Sequence, residues 1–186
     1  MEFGALGERA DTAGLGTQVG TEAFLNQVMD LSDLISQDSI VPALKANGKK
    51  QALQELAEKA AKLTGLDERQ IFDTLLQRER LGSTGVGNGI AIPHGKLPQL
   101  TRIYGVFARL SKPIDFESLD DQPVDLIFLL LAPENAGADH LKALARIARL
   151  LREPGLANKL RASGDQSALY AVLTESSAST PASASG

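Results

Sequence analysis

Apolar residues recur with helical spacing between Lys49 and Leu63, where Leu53, Leu56, Ala57, Ala60 and Leu63 share one face. Gly65 ends that stretch. Asp67 is placed to cap a second helix, with Gln70 three residues on as a weak capping box and Ile71, Phe72, Leu75 and Leu76 as its stripe. Arg78 flanks the stripe at the helix end. The stretch Gly82-Ser83-Thr84-Gly85-Val86-Gly87-Asn88-Gly89 is too rich in glycine for regular structure and reads as a loop. Ile90-Ala91-Ile92 reads as a short strand stopped by Pro93, and Ile103 to Leu110 and Val124 to Leu131 as longer ones. The last is apolar almost throughout, the pattern of a central strand covered on both faces. A helix is predicted over Gly137 to Arg152, with Leu141, Leu144, Ala145, Ile147, Ala148 and Leu151 inward, and shorter helices near 154–162 and 165–174. Helices and strands interleave, so the fold class expected is α/β, a central sheet in a single layered domain over residues 22–175. Residues 1–20 and 176–186 are dominated by Gly, Ser, Thr and Ala, and are expected to be a disordered extension and tail.

Composition narrows the function classes. Hydrophobic residues at 43% allow a sizeable core, and aromatics at 4% leave Leu, Ile, Val and Ala to build it. A net charge of -4 argues against nonspecific nucleic-acid binding, which needs clustered cations. The absence of cysteine removes disulfides, thiolate metal sites and a Cys nucleophile. The longest apolar run, Val124 to Pro133, is too short to span a bilayer, and no basic region followed by an apolar stretch opens the chain. The expectation is a cytoplasmic protein without membrane insertion.

The candidate chemistry centres on His94. It follows the predicted strand directly, between Pro93, which restricts the backbone, and Gly95, which leaves room beside the ring. A neutral imidazole is a nucleophile, and its ordinary pKa of about 6.5 keeps much of it neutral near pH 7. In the upstream loop, backbone N–H groups at Gly85 and Gly87, with the hydroxyls of Ser83 and Thr84, suit phosphate oxygens, as does Gly95 beside the ring. The spacing fits neither a Walker A loop nor a dinucleotide fingerprint, so nucleotide chemistry is not expected. A lone histidine after a strand is commonly a satisfied surface residue, and a glycine-rich loop is commonly only a loop; their conjunction points to a site. Arg78 could be a solvated helix-end arginine or a phosphate partner. His140, the other histidine, could be a half-buried helix residue or a second imidazole in the site, and its place near a helix N-terminus favours the neutral ring. Two histidines without cysteines or a ligand-spaced carboxylate do not make a metal site, and no cofactor is implied.

At these residues the sequence resembles the enzyme IIA proteins of the phosphoenolpyruvate-dependent phosphotransferase system (PTS), of the fructose–mannitol–nitrogen group. The resemblance is carried by Arg78-Glu79-Arg80-Leu81-Gly82-Ser83-Thr84-Gly85-Val86-Gly87-Asn88-Gly89-Ile90-Ala91-Ile92-Pro93-His94-Gly95-Lys96. It extends from about Met29 to Glu175 and includes Gln122 to Leu126 and the His140 helix; Met29 is a candidate natural start. The Gly-Ser-Thr-Gly and His-Gly-Lys forms look most like the nitrogen-regulatory branch, IIA-Ntr. The resemblance implies the EIIA type-2 fold, a mixed central sheet flanked by helices. It implies phosphorylation of His94 by an HPr-like carrier (NPr), with Arg78 stabilising the phosphate and His140 donating a hydrogen bond. It further implies control of target proteins, such as potassium-uptake or stress-response components, by phosphorylation state. A fructose- or mannitol-type IIA that passes phosphate to a IIB protein, and a non-catalytic binding module, are the alternatives.

Overall fold

The computed structural model describes residues 30–178, and in them helices cover both faces of a six-stranded mixed sheet. The expected disordered extension, the candidate start at Met29 and the tail beyond residue 178 lie outside the described residues.

Helix α1 (Leu31–Leu34) and a 3₁₀ turn (Gln37–Ser39) lead into strand β1 (Ile40–Leu44). Helix α2 spans Lys49–Thr64 and stops at Gly65, whose φ of 75° is cheap for glycine alone. Helix α3 spans Glu68–Arg80; the Asp67 carboxylate caps it by accepting from the backbone N–H groups of Arg69 and Gln70. The side chain of Gln70 does not close a capping box; its amide pairs with that of Gln99. Strands β2 (Gly85–Gly87), β3 (Ile90–Ala91), β4 (His94–Lys96), β5 (Tyr104–Ile114) and β6 (Val124–Ala132) follow. Helices α4 (Gly137–Leu151), α5 (Pro154–Ala162) and α6 (Gln166–Ala178) complete the chain, with α6 running past the expected boundary at 175.

The sheet order is β1-β5-β6-β3-β2, with β4 also on β6. The central position of β6 follows from its side chains. Leu126, Phe128 and Leu130 enter one core with α1, α4, α5 and α6. Ile127, Leu129 and Leu131 enter the other with α2 and α3. Period-2 alternation in an unbroken apolar run fills both layers at once.

Three expectations needed correction. The loop after α3 contains β2, because Gly85 and Gly87 can still pair with β3. On α4, Leu141 (67% exposed) and Ala145 face solvent, while Ala143 and Leu150 are buried, so the inward stripe is rotated from the one the spacing suggests. Pro93 lies between two strands rather than opening a loop, since a second strand starts at His94. Ile90 pairs with Leu126 and Ala91 with Ile127, and pairing resumes in the same register at His94 with Leu130. Proline fixes φ and removes the N–H donor but leaves the carbonyl acceptor. Its carbonyl still accepts from Leu130 N–H at 2.9 Å, so the strand line continues across the break.

Candidate active site

His94 is presented by a strand rather than by a loop, and β4 sets its geometry. Side chains alternate along the strand, so Gly95 faces away from the side shared by His94 and Lys96. Gly95 lies against α3 so closely that a Cβ there would stand 2.8 Å from Thr74 Cγ2. Only glycine permits that approach. Arg78 stands one helical turn beyond Thr74, on the same face. From there its Nε–H donates to His94 Nε2 at 3.1 Å, and its Nη1 donates to the Gly82 carbonyl at 3.0 Å.

The other ring nitrogen, His94 Nδ1, lies 2.9 Å from the Ile92 carbonyl oxygen. A carbonyl only accepts, so Nδ1 carries the proton and Nε2 presents its lone pair. The two contacts therefore agree on one tautomer. Burial holds the His94 pKa below its usual value, and the Arg78 charge adds to this against the opposing pull of the Ile92 carbonyl and Glu79. The ring is neutral near pH 7, as a nucleophile requires.

His140, in the first turns of α4, brings its ring centroid to 5.5 Å from that of His94, edge to face at 65°. It is buried, and its Nε2 has no hydrogen-bond partner. Burial first, then the neighbouring His94 and Lys96, push its pKa down to about 4. Both imidazoles are thus neutral, and one has an unused polar atom in the site.

The glycine-rich segment takes other roles. Ser83 Oγ donates to the Phe116 carbonyl at 2.8 Å, and Thr84 Oγ1 donates to the Glu79 carboxylate. Those hydroxyls hold the segment in shape rather than facing the imidazole. Gly85 and Gly87 admit close approach of Ser118 and Asp120. The turn at Asn88 is pinned by Arg161, which donates to the Asn88 carbonyl at 2.7 Å and forks onto Asp125 at 2.8 and 3.0 Å. Among the described residues no group of three His, Asp or Glu side chains is arranged to hold a metal.

Glu79 belongs to the site as well, although no motif in the sequence marks it. Its buried carboxylate accepts from Thr84 N–H at 3.2 Å and pairs with Lys49 Nζ at 2.7 Å. A signal was present: Lys49 opens a helix and Glu79 closes one, each at the end where the backbone dipole disfavours its charge.

Residues 33–176 match the family model described as phosphoenolpyruvate-dependent sugar phosphotransferase system, EIIA 2. The chain belongs to that family. Members are phosphotransfer components, and the imidazole held between Arg78 and Ile92 is a group fit for that work. The chain is 69% identical to the nitrogen regulatory protein of Bradyrhizobium diazoefficiens over 145 residues, 78% of this chain and 95% of that one. It is 40% identical to the nitrogen regulatory protein of Escherichia coli over 148 residues, 79% of this chain and 91% of that one. Among solved structures, the nitrogen regulatory protein IIA-Ntr of Neisseria meningitidis superposes with a TM-score of 0.74 at 33% identity, over 77% of this chain and 99% of that one. The mixed sheet flanked by helices is the family's fold.

Proposed function

We propose that this protein is a nitrogen-type PTS IIA phosphocarrier that accepts a phosphoryl group on Nε2 of His94 from an HPr-like carrier of the NPr kind. One observation carries the reading: Nδ1 is committed to the Ile92 carbonyl, which leaves Nε2 as the nucleophilic nitrogen, held by Arg78 beside the unpartnered Nε2 of His140.

In the transfer, the P–N bond of the donor's phosphohistidine breaks and its electron pair stays on the donor ring. The Nε2 lone pair of His94 forms the new P–N bond. The accepting ring gains positive charge, and the Nδ1–H contact to Ile92 strengthens with it. Arg78 turns its guanidinium to the phosphoryl oxygens and His140 donates to one of them, so that charge is met by preplaced groups. No nucleotide enters, because the donor is already an activated phosphoimidazole.

Two exposed leucines flank the site in sequence. Leu81 follows α3 just after Arg78 and is 84% exposed; Leu141 follows His140. They supply apolar contact for a protein donor and for the cytoplasmic targets, such as potassium-uptake or stress-response components, that read the phosphorylation state. The phosphoryl group brings about −1.5 to −2 charge into that surface, which changes the affinity of a target that binds the bare form. The test is intact-mass measurement after incubation with phosphoenolpyruvate, enzyme I and an HPr-like protein. The wild type gains one acid-labile phosphoryl group and His94→Ala gains none. A labelled Ala variant, or an unlabelled wild type, overturns the reading.

A further inference from the structure

Glu79 occupies an unusual position in the molecule. It is a carboxylate 7% exposed, one residue after the arginine that holds the imidazole, in the last turn of a helix. Its partner Lys49 is the first residue of α2. An anion at a helix C-terminus and a cation at an N-terminus each oppose the backbone dipole. The pair also buries charge, which seldom improves stability over an apolar pair of the same shape. Helix stability therefore does not account for these two residues, and their contacts lead to the imidazole instead.

One path leads to each nitrogen of His94. On the first, Glu79 accepts from both the N–H and the hydroxyl of Thr84. The Thr84 carbonyl accepts from Ile92 N–H at 3.0 Å, and the Ile92 carbonyl accepts from His94 Nδ1. On the second, the Glu79 backbone carbonyl accepts from Gly82 N–H at 3.1 Å. The Gly82 carbonyl in turn accepts from Arg78 Nη1, fixing the guanidinium whose Nε–H meets His94 Nε2. Lys49 secures the node from the far side. Its Nζ reaches Glu79 and, at 3.4 Å, Glu117, and lies 5.1 Å over the Phe116 ring, whose backbone carbonyl receives the Ser83 hydroxyl. The described hydrogen bonds at both ring nitrogens thus trace back to one residue, to its carboxylate on the first path and to its main-chain carbonyl on the second.

We infer that Glu79, braced by Lys49, is a positioning residue for phosphoryl transfer: it clamps the segment Gly82–Thr84 so that Ile92 and Arg78 fix the imidazole as the Nδ1–H tautomer with Nε2 aimed outward. It touches neither the phosphoryl group nor the ring. The inference rests on the phosphocarrier reading for its kinetic consequence and on the unphosphorylated protein alone for its structural one.

The test uses the full chain with Glu79→Gln, Lys49→Met and the double variant. Glutamine keeps the volume but cannot accept from Thr84 with both terminal atoms, nor pair with Lys49 as an ion. In ¹⁵N spectra of the unphosphorylated protein, wild-type His94 shows Nδ1 protonated and Nε2 bare, and Arg78 Nε–H is shifted by its acceptor. Glu79→Gln converts His94 to a tautomer mixture, and the Arg78 signal moves less, because its path runs through the Glu79 backbone carbonyl that glutamine keeps. With the HPr-like donor, kcat falls about tenfold or more while KM stays within about twofold, because the docking surface is untouched. Lys49→Met moves the same signals less far, and the double variant is no worse than Glu79→Gln, since the two act as a unit. Wild-type His94 and Arg78 signals in a folded Glu79→Gln protein overturn the inference, and so does a rise in KM alone. Should Glu79→Gln fail to fold, Lys49→Met decides by the same spectra, and unchanged signals there overturn it. A wild type that takes no phosphate defeats the phosphocarrier reading instead, and the spectra still judge Glu79.

Discussion

Arg78 reaches His94 because Thr74, one turn earlier on the same helix, packs onto Gly95, the next residue of the strand that carries the imidazole. Position and chemistry are thereby coupled: the closeness of α3 to β4 sets the 3.1 Å contact between Arg78 Nε and His94 Nε2.

The first consequence concerns Gly95→Ala. The added methyl would stand 2.8 Å from Thr74 Cγ2, so helix or strand must shift. Overpacking of this kind costs about 1–3 kcal/mol. We expect a lower melting temperature together with slower transfer, and partial recovery of both in Gly95→Ala/Thr74→Ser, which deletes the obstructing methyl. Thermal melts and transfer kinetics check this; equal defects in the single and double variants would show that the contact is not the cause.

Arg78→Lys keeps the charge and loses the fork. A lysine ammonium cannot donate to His94 and Gly82 in the same planar arrangement. Transfer should slow by about a hundredfold, on the scale for losing one transition-state donor, with the melting temperature within a few degrees of wild type. Stopped-flow transfer from the HPr-like donor reads the rate, and a near-wild-type value would reduce the arginine to a point charge.

Stability should depend on pH through the histidines. Their folded pKa values lie below the unfolded one, for His140 at about 4 and for His94 by direction. As pH falls through the unfolded value of about 6.5, the unfolded chain takes up protons that the folded site refuses. Stability is therefore full above that value and is lost progressively toward pH 4. His140→Leu removes its share of the loss. Between pH 7 and pH 5 its melting temperature should fall less than that of the wild type, by about 3 °C or more. Parallel curves for the two proteins would contradict the buried neutral imidazole.

Leu81→Asp and Leu141→Asp test the docking surface. Both side chains are exposed, so the fold should tolerate the change. Each should raise KM for the protein donor about tenfold and leave kcat within about threefold, the pattern for lost uniform binding. Unchanged KM in both would move the donor's footprint elsewhere.

The sequence by itself determined the local elements and the candidate for the reactive residue. Helical spacing defined α2 and α3, Asp67 and Gly65 marked their ends, and the apolar run of β6 required a central strand with a layer on each face. The run from Arg78 to Lys96 singled out His94 because a nucleophile, a cation and tight glycine turns stand close along the chain. Tertiary structure decided what no period encodes. It restored pairing beyond Pro93 as β4, since the partner strand β6 keeps the register that the proline interrupts only locally. It turned Leu141 outward and His140 inward, because the rotation of α4 is set by the sheet it packs on. It also joined Lys49, Glu79 and Thr84 into one node behind the imidazole. Such contacts link residues distant in the chain, and their energy exists only once both helices and the strand are in place.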